Sequence, residues 1–571
     1  MNKPACEPGS PDWYSAVERP EIIERADAIQ WDAQADLVIV GCGGAGLAAA
    51  VEAAESKLDV LALDRSGSGG STAINGGIVY AGGGTAIQKQ AGVEDSPEAM
   101  FEYLRGETQG VVSDATLRRF CDESAAMIDW LTARGVRFDP KRYDEKTSYP
   151  PPGYHLYHSD SSLCATRAAV SRPAPRGHKL WSEGLSKAAT GFGKALTDPL
   201  HAAATRLGVR FEPYSEVRRL VLGADGRVLG VVALQFAPGS AAQLQYAKYQ
   251  ALATKFVLAL PPAFPMAGLT LTLAGWYARK ARALESQRVA RRIRARKGVC
   301  LSAGGFVFNP QMVAHYAPKY LHGMPLGNPG DDGSGIRLGQ TAGGAVQRMQ
   351  HMSAWRFIRP PAALSWGPMV DGRGARFIDE TSYGAAIGYE MVERHDGRAY
   401  IVLDQSLYDE TLRQLDKGDL YSFQRGPAWL ALKFARRKAA TLEQLAASCG
   451  FDPAVFGATV SAYNQAATGT VPDAFGKSEK DRRPIATAPF YAIDVSITSR
   501  LFPLPILSLG GLAVDEDTGG VLRATGSAIP GLYAAGRNAI GVCSHLYVSG
   551  LSVADCIFSG RRAAASAAHT A

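Results

Sequence analysis

Residues 41 to 46 form a glycine-rich turn that directly follows a strand-like run. The turn reads Gly41-Cys42-Gly43-Gly44-Ala45-Gly46, and the run before it is Asp36–Val40. In a dinucleotide-binding βαβ unit, the first glycine makes the turn, the second admits a pyrophosphate, and the third lets the next helix pack on the sheet. The following strand-like run ends at Asp64, an acid placed to accept a hydrogen bond from a ribose hydroxyl. These residues therefore predict a dinucleotide site.

A second glycine-rich run and a segment near the C-terminus indicate which dinucleotide is bound. Gly69–Gly77 reads GGSTAINGG, and Pro530–Arg537 reads PGLYAAGR, a strand-like pattern that ends in a glycine turn. Two such sites, far apart in sequence and closing on one ligand, fit a long cofactor held by both ends of the chain. We therefore predict FAD rather than NAD. The alternative is two unrelated glycine loops in a chain that contains 62 glycines.

Four segments resemble, in order, the flavoprotein family of fumarate reductases and 3-ketosteroid dehydrogenases. They are GGSTAINGG, Val299–Phe306, Gly374–Glu380 and PGLYAAGR, and the resemblance extends roughly from residue 33 to residue 565. Gly82–Thr85, Pro173–His178 and Gly541–Gly550 are most similar to the FAD-dependent 3-ketosteroid Δ4-dehydrogenases. This resemblance implies oxidation of a saturated 3-ketosteroid to the Δ4-3-ketosteroid.

That reaction needs a base for the C4 proton, a hydride acceptor for C5 and donors for the enolate oxygen. The flavin would accept the hydride at N5. In the resembling enzymes, a Tyr-x-Ser-Gly sequence supplies the base and its proton-relay partner, which here implies Tyr547, Ser549 and Gly550. Tyr383 matches a second active-site tyrosine, which we assign to the substrate carbonyl. A tyrosine acts as a base only if its pKa, near 10 when free, is lowered by hydrogen bonds or positive charge.

The resemblance also implies a set of cofactor contacts. By motif position these are Gly41, Gly43, Gly44, Ala45, Gly46, Asp64, Arg65, Gly70, Ser71, Thr72, Asn75, Gly76, Gly77, Val217, Ala303, Gly304, Gly536, Arg537, Ser552 and Val553. Family members with covalent flavin carry a histidine near Ser71, so we expect noncovalent FAD. His178 and His545 are weaker candidates for the base.

Three other functions compete with this interpretation. A fumarate-reductase-like enzyme needs an arginine acting as an acid soon after the Arg376-Phe377-x-x-Glu380 motif, but no arginine or histidine lies between Phe377 and Val392. A Δ1-dehydrogenase typically has Tyr-Pro-Gly-x-Gly where this chain has Tyr547-Val548-Ser549-Gly550. A noncatalytic membrane flavoprotein would lack the pair Tyr547 and Ser549, which this chain contains. Motifs do not separate 5α from 5β substrates, and they do not define the C17 side chain, the electron acceptor or the oligomeric state.

At 571 residues the chain is too long for one core. We predict an α/β fold in which a Rossmann-like FAD-binding domain is interrupted by an α+β catalytic (cap) domain. The predicted divisions are an N-terminal extension (1–32), the first part of the FAD-binding domain (33–311), the catalytic domain (312–483) and the second part of the FAD-binding domain (484–571). Predicted helices span 97–104 and 114–134, and predicted strands span 209–213 and 228–235.

Residues 241–298 form an insertion with eleven basic residues and one acid. Phe256–Ala278 within it contains no charged residue, but Pro261, Pro262 and Pro265 oppose a straight spanning helix. We predict a shallow membrane anchor followed by an Arg-rich helix, with a membrane quinone as a candidate electron acceptor. A buried core helix or, less favoured, a nucleic-acid patch are the alternatives.

The N-terminus lacks a basic-then-apolar signal pattern, and the eight cysteines lack metal-type spacing. The expected location is therefore cytoplasmic, on the inner face of the cell membrane, with neither a metal nor a nucleic acid bound.

Overall fold

A computed structural model describes residues 13–27, 29–182, 192–259, 267–417 and 420–570. Its largest sheet contains β1 (Glu21–Ile23), β2 (Ala33–Val40), β3 (Val60–Asp64), β4 (Arg210–Pro213), β5 (Glu216–Gly223), β6 (Val228–Gln235), β7 (Val289–Leu301), β8 (Gly520–Leu522) and β9 (Ala528–Ala534). The strand order is β1-β5-β6-β7-β2-β3-β4, and β9 pairs with β7 and β8. Because β7 pairs in parallel with both β2 and β9, both ends of the chain meet in one sheet.

The α-helices are Gly44–Glu55, Gly70–Ile74, Ala86–Gln90, Pro97–Thr108, Asp114–Asp122, Ser124–Ala133, Ala165–Ala168, Lys194–Arg206, Ala241–Ala259, Ala267–Leu284, Pro310–Tyr316, Ser334–Thr341, Gly384–Arg394, Gln405–Asp416, Ser422–Phe434, Leu442–Cys449, Pro453–Ala467 and Leu551–His569. The first of them packs against the last, since a Cβ at Gly560 would lie only 2.3 Å from the Ala45 carbonyl oxygen. The predicted helix at 97–104 and the strands at 209–213 and 228–235 are confirmed. The helix predicted over 114–134 is two helices that meet at Glu123.

Smaller sheets lie beside the main one. One has the order Ile78–Tyr80, Gly177–Lys179, Leu156–Tyr157 and Arg142–Tyr143. A second has the order Met369–Val370, Tyr400–Leu403, Phe490–Asp494 and Arg436–Ala439, and a third Met324–Pro325, Pro505–Ser508 and Met352–Ala354. Val346–Gln347 pairs with Gly511–Leu512. The mixed α/β class is confirmed. One apolar core runs from Val38 to residues beyond Phe490, so the boundaries at 312 and 483 stay predictions.

The basic segment differs from the prediction, because residues 289–301 form the long strand β7 and not an Arg-rich helix. Its arginines pair with acids of the enzyme body. Arg292 lies 3.1 Å from Glu21, and Arg296 lies 2.7 Å from Asp36. The apolar neighbours β2 and β6 hold this stretch in the sheet, and carboxylates on the adjoining segments neutralise its charge.

The inserted segment proper is a helical hairpin made by Ala241–Ala259 and Ala267–Leu284. The predicted proline break lies at 261–265, outside the described residues. Within the part of the chain that the structure describes, no helix has both the length and the apolarity needed to cross a bilayer.

Candidate active site

The glycine turn after β2 has the shape that a pyrophosphate requires. Gly41 has φ +99°, and a Cβ on it would lie 2.7 Å from Ala303 Cα. A Cβ on Gly46 would lie 1.9 Å from the Gly41 carbonyl oxygen, so the helix packs closely here. At Gly43, by contrast, the nearest atom to such a Cβ is the Thr72 Oγ1, 3.8 Å away. Open space beside this backbone, at a helix N-terminus, is a fitting cradle for a phosphate.

Asp64 lies at the end of β3, directly beside that turn. Its carboxylate accepts hydrogen bonds from the Cys42 amide (2.7 Å) and the Ser66 amide (2.8 Å). The carboxylate is thus fixed next to the glycine turn, the position at which the sequence analysis predicts a contact with a ribose hydroxyl. Arg65 is turned toward Asp332, at 2.8 Å. Val217 is buried on β5, close to Ser215, whose amide donates to the Asp64 carbonyl oxygen.

Asp331 joins three of the predicted motifs and was missed by the sequence reasoning. Its Oδ2 accepts hydrogen bonds from Ser71 Oγ (2.6 Å) and from Arg537 Nη2 (2.7 Å). A Cβ on Gly304 would lie 2.0 Å from Asp331 Oδ1. The second glycine run, the strand end at Ala303 and the C-terminal turn therefore converge. The available signal was the run Asp331-Asp332-Gly333-Ser334-Gly335, a glycine-dense turn that opens a helix.

The remaining cofactor positions lie around this junction. The Gly44 amide donates to Thr72 Oγ1 at 3.0 Å, and the Gly77 amide donates to Asn75 Oδ1 at 2.7 Å. A Cβ on Gly536 would lie 2.9 Å from Ala45 Cβ, so the C-terminal turn abuts the first cradle. Ser552 and Val553 lie in the first turn of Leu551–His569.

The predicted base, Tyr547, is buried next to Trp355, with ring centroids 4.6 Å apart. Burial raises the pKa of Tyr547 well above its ordinary value, and hydrogen bonding to the Gly550 backbone and the charge of Arg537 oppose that rise. The depressed pKa expected of a tyrosine base is therefore absent in the protein alone.

Ser549 connects two further tyrosines. Its side chain is close enough to Tyr383 to lower the pKa of that tyrosine, and its Oγ lies 3.3 Å from the Tyr157 hydroxyl. Its backbone is fixed by Ser159, whose carbonyl oxygen accepts from the Ser549 amide at 3.2 Å. Burial raises the pKa of both Tyr383 and Tyr157. Tyr157 was missed because it lies on a two-residue strand that shows no periodicity.

A buried ionic network holds the loop that carries Tyr383. Arg376 pairs with Glu380 (2.8 Å) and with Asp473 (2.6 Å), and Lys477 pairs with Glu380 (2.9 Å). The nearby positive charges hold the pKa of Glu380 below its usual value despite burial, so the carboxylate stays ionised. The Arg376-x-x-x-Glu380 motif thus anchors the start of the loop that leads to Tyr383, three residues further on.

The two histidine candidates fit the base role poorly. His178 is engaged at both ring nitrogens, by Thr85 Oγ1 (3.0 Å) and by the Arg176 carbonyl oxygen (3.1 Å). Burial lowers the pKa of His178 to about 4. His545 has a buried Nε2 with no hydrogen-bond partner among the described residues and lies beside His351, and burial lowers its pKa to about 4 as well.

Comparison with known proteins decides the family. A family model described as FAD binding domain matches residues 36–550. The chain belongs to this FAD-binding family. The flavoprotein is 36% identical over 516 residues to the 3-oxo-5-alpha-steroid 4-dehydrogenase of Comamonas testosteroni, covering 90% of this chain and 94% of the relative. FAD as the cofactor and the predicted resemblance are confirmed.

A solved structure supports the same relationship. The 3-ketosteroid-delta4-(5alpha)-dehydrogenase of Rhodococcus jostii RHA1, in complex with 4-androstene-3,17-dione, superposes with a TM-score of 0.79 and 30% identity. The match covers 96% of this chain and 99% of that chain. The 3-oxosteroid 1-dehydrogenase of Mycobacterium tuberculosis is more distant, at 26% identity over 90% of this chain and 94% of the relative. The flavoprotein therefore lies nearer to the Δ4 enzymes than to the Δ1 enzymes.

Proposed function

We propose that this flavoprotein oxidises a saturated 3-ketosteroid to the Δ4-3-ketosteroid. The observation that carries the proposal is the cluster in which Ser549 hydrogen-bonds to Tyr157 and lies beside Tyr383, with Tyr547 two residues away on the same loop. Such a cluster can take up a proton from carbon and donate to an enolate oxygen. FAD, when bound, supplies the hydride acceptor. Residues 312–483, which carry Tyr383, are proposed to form the catalytic domain.

Each side chain has a separate task. Tyr547 takes the C4 proton while its own hydroxyl proton passes through the cluster to solvent, because burial disfavours a standing phenolate. Tyr383 donates a hydrogen bond to the 3-keto oxygen, and this bond strengthens as charge develops there. Ser549 relays the proton, and Tyr157 holds the serine hydroxyl in place. Trp355 packs on Tyr547, and the ring centroid of Phe357 lies 6.0 Å from that of Tyr383. These two large side chains line the same region and exclude water from it.

Anaerobic flavin bleaching tests this function. The protein is mixed without oxygen with 3-ketosteroids that are saturated at C4–C5, in matched 5α and 5β forms. We expect loss of flavin absorbance and formation of the Δ4 product. The two relatives named above carry 5α in their names, and we propose the 5α series for this chain. Bleaching only by a Δ4-3-ketosteroid would point to Δ1 oxidation instead, and no bleaching by any ketosteroid would refute the proposal.

We also propose that FAD is held noncovalently. The side chains nearest the second cradle are Ser71 and Thr72, and Ser71 is hydrogen-bonded to Asp331. Neither is the histidine that carries covalent flavin in the resembling enzymes. Acid precipitation should therefore release all of the yellow colour into the supernatant, and colour in the pellet would contradict this proposal.

We further propose that the helical hairpin rests on the inner face of the cell membrane, where a quinone could accept the electrons. Leu244, Leu269 and Trp276 are 65%, 57% and 42% exposed, and Lys280 lies 3.9 Å from the Trp276 ring centroid. The segment 241–284 contains no acidic residue. Apolar side chains and basic groups together favour an anionic lipid surface. Cell fractionation at low salt should find the protein with membranes, and a wholly soluble distribution would oppose the anchor.

A further inference from the structure

Lys179 is a buried cation without an acidic partner among the residues that the structure describes. It ends the strand Gly177–Lys179 and is 2% exposed. Its Nζ donates a 2.7 Å hydrogen bond to the hydroxyl of Tyr421, and the ring centroids of Tyr149, Phe192 and Tyr421 lie 5.2, 5.3 and 5.0 Å from it. We call these three rings and Lys179 the aromatic box. By contrast, the buried Lys477 has Glu380 at 2.9 Å.

Among the residues that the structure describes, no carboxylate compensates the charge of Lys179 inside the aromatic box. Burying an ammonium group without a carboxylate is costly, and contacts with ring faces offset only part of that cost. Burial lowers the pKa of Lys179 to about 8, so the group is still mostly protonated at neutral pH. A cation in this setting can bind an anionic ligand. The ligand would replace the lost hydration of the ammonium group with a charge-assisted hydrogen bond.

The aromatic box adjoins the proposed active site. Lys179 is paired with Ile78, and Gly177 is paired with Tyr157, in the small sheet. Directly opposite residues share a face, and so do alternate residues along a strand, so Lys179 and Tyr157 lie on one side of this sheet. Lys179 lies two residues along the strand from Gly177, the partner of Tyr157, which is a separation of about 7 Å in the strand direction. On that same face, a Cβ at Gly550 would lie 2.8 Å from Ile78 Cγ2.

The wall of the aromatic box also touches the second flavin cradle. The Tyr149 hydroxyl donates to the Gly76 carbonyl oxygen at 2.7 Å. The box therefore lies between the cradle, the tyrosine cluster and the start of the helix Ser422–Phe434.

We propose that Lys179 binds a carboxylate on the C17 side chain of the steroid, which makes 3-keto steroid acids the substrate class. This inference rests on the proposed function. A steroid nucleus is rigid, with the 3-keto group at one end and the C17 side chain at the other. When the ketone meets Tyr383, the far end extends beyond the tyrosine cluster. An aromatic box with one cation suits a hydrocarbon chain that ends in a carboxylate.

The test compares a saturated 3-keto steroid acid with its methyl ester, which differs only in charge at the far end. The measurement is kcat/KM with an artificial electron acceptor. The wild-type enzyme should prefer the acid. In Lys179→Met, the value for the acid should fall about tenfold to a hundredfold, the range for a hydrogen bond to a charged group, while the ester changes less than about twofold. Tyr421→Phe is the matched control, because it removes the neutral partner and keeps the ammonium group.

Each result has a defined meaning. An equal loss for acid and ester in Lys179→Met would assign Lys179 a structural role and overturn the inference. If Lys179→Met does not fold, the wild-type preference decides, and an acid-to-ester ratio near one overturns it. Lys179→Arg should retain part of that preference. A wild-type enzyme that oxidises the ester but shows no preference refutes this inference alone, whereas one that oxidises neither substrate refutes the proposed function.

Discussion

Replacing Tyr547 by phenylalanine removes one oxygen atom from the centre of the proposed site. The ring is buried and packs at 4.6 Å against Trp355, and phenylalanine preserves that contact. The lost hydroxyl is close enough to the Gly550 backbone to have its pKa lowered by it, and a hydrogen bond of this kind contributes about 0.5–1.5 kcal/mol to the free energy of folding. No flavin cradle residue is altered. We therefore expect a folded, yellow protein whose melting temperature is nearly that of the wild type.

The kinetic effect should be much larger than the effect on stability. A positioned acid–base group contributes about a hundredfold to ten-thousandfold in rate. Neighbouring groups cannot easily replace it, because burial raises the pKa of Tyr383 and of Tyr157, and the Tyr157 hydroxyl is already bonded to Ser549. We thus expect flavin reduction in Tyr547→Phe to be slower by at least about a hundredfold.

Anaerobic stopped-flow bleaching of the flavin measures this rate without the electron acceptor. Tyr491→Phe is a matched control, since its hydroxyl bonds to Gln405 Oε1 at 2.7 Å, away from the site, and it should reduce at the wild-type rate. A Tyr547→Phe enzyme that keeps more than about a tenth of the wild-type rate would refute the assignment, given the expected contribution of a base. Tyr383 and His545 would then be the next candidates.

Three further predictions concern the relay, the cradle and the hairpin. Tyr157→Phe should slow flavin reduction only about threefold to tenfold, because it removes one long hydrogen bond to Ser549; an unchanged rate would remove Tyr157 from the relay. Gly43→Ala should fold normally, since the space beside it is open, yet bind FAD more weakly by fluorescence titration, and unchanged affinity would place the phosphate elsewhere. Replacing 252–275 with a short Gly-Ser turn should move the protein from membranes to the soluble fraction with its flavin retained; continued membrane association would contradict the anchor. This deletion spares β7, which a cut extending to Arg294 would destroy.

The glycine cradles and their strands could be predicted from sequence because backbone shape alone demands them. Gly41 has a positive φ, and a Cβ on Gly46 would lie 1.9 Å from a backbone oxygen. Neither position has room for a side chain, so the residue type is dictated locally. Tyr547 and Ser549 were assigned through the resemblance of their loop to a Tyr-x-Ser-Gly motif, which also spans only a few residues. Such constraints act over a few residues and leave a direct trace in the sequence.

Contacts between distant segments left no such trace. The sequence patterns indicated a dinucleotide site, two chain ends serving one cofactor and a candidate base. Only the tertiary structure placed Asp331 between Ser71 and Arg537, brought Tyr157 to Ser549 and put Lys179 in an aromatic box. It also made residues 289–301 a strand, although their charge pattern suggested a helix, because β2 and β6 offer backbone hydrogen bonds on both sides and acids such as Glu21 and Asp36 pair with its arginines. Strand order and register decide which side chains meet across hundreds of residues, and these depend on the packing of the whole chain rather than on any local run of it.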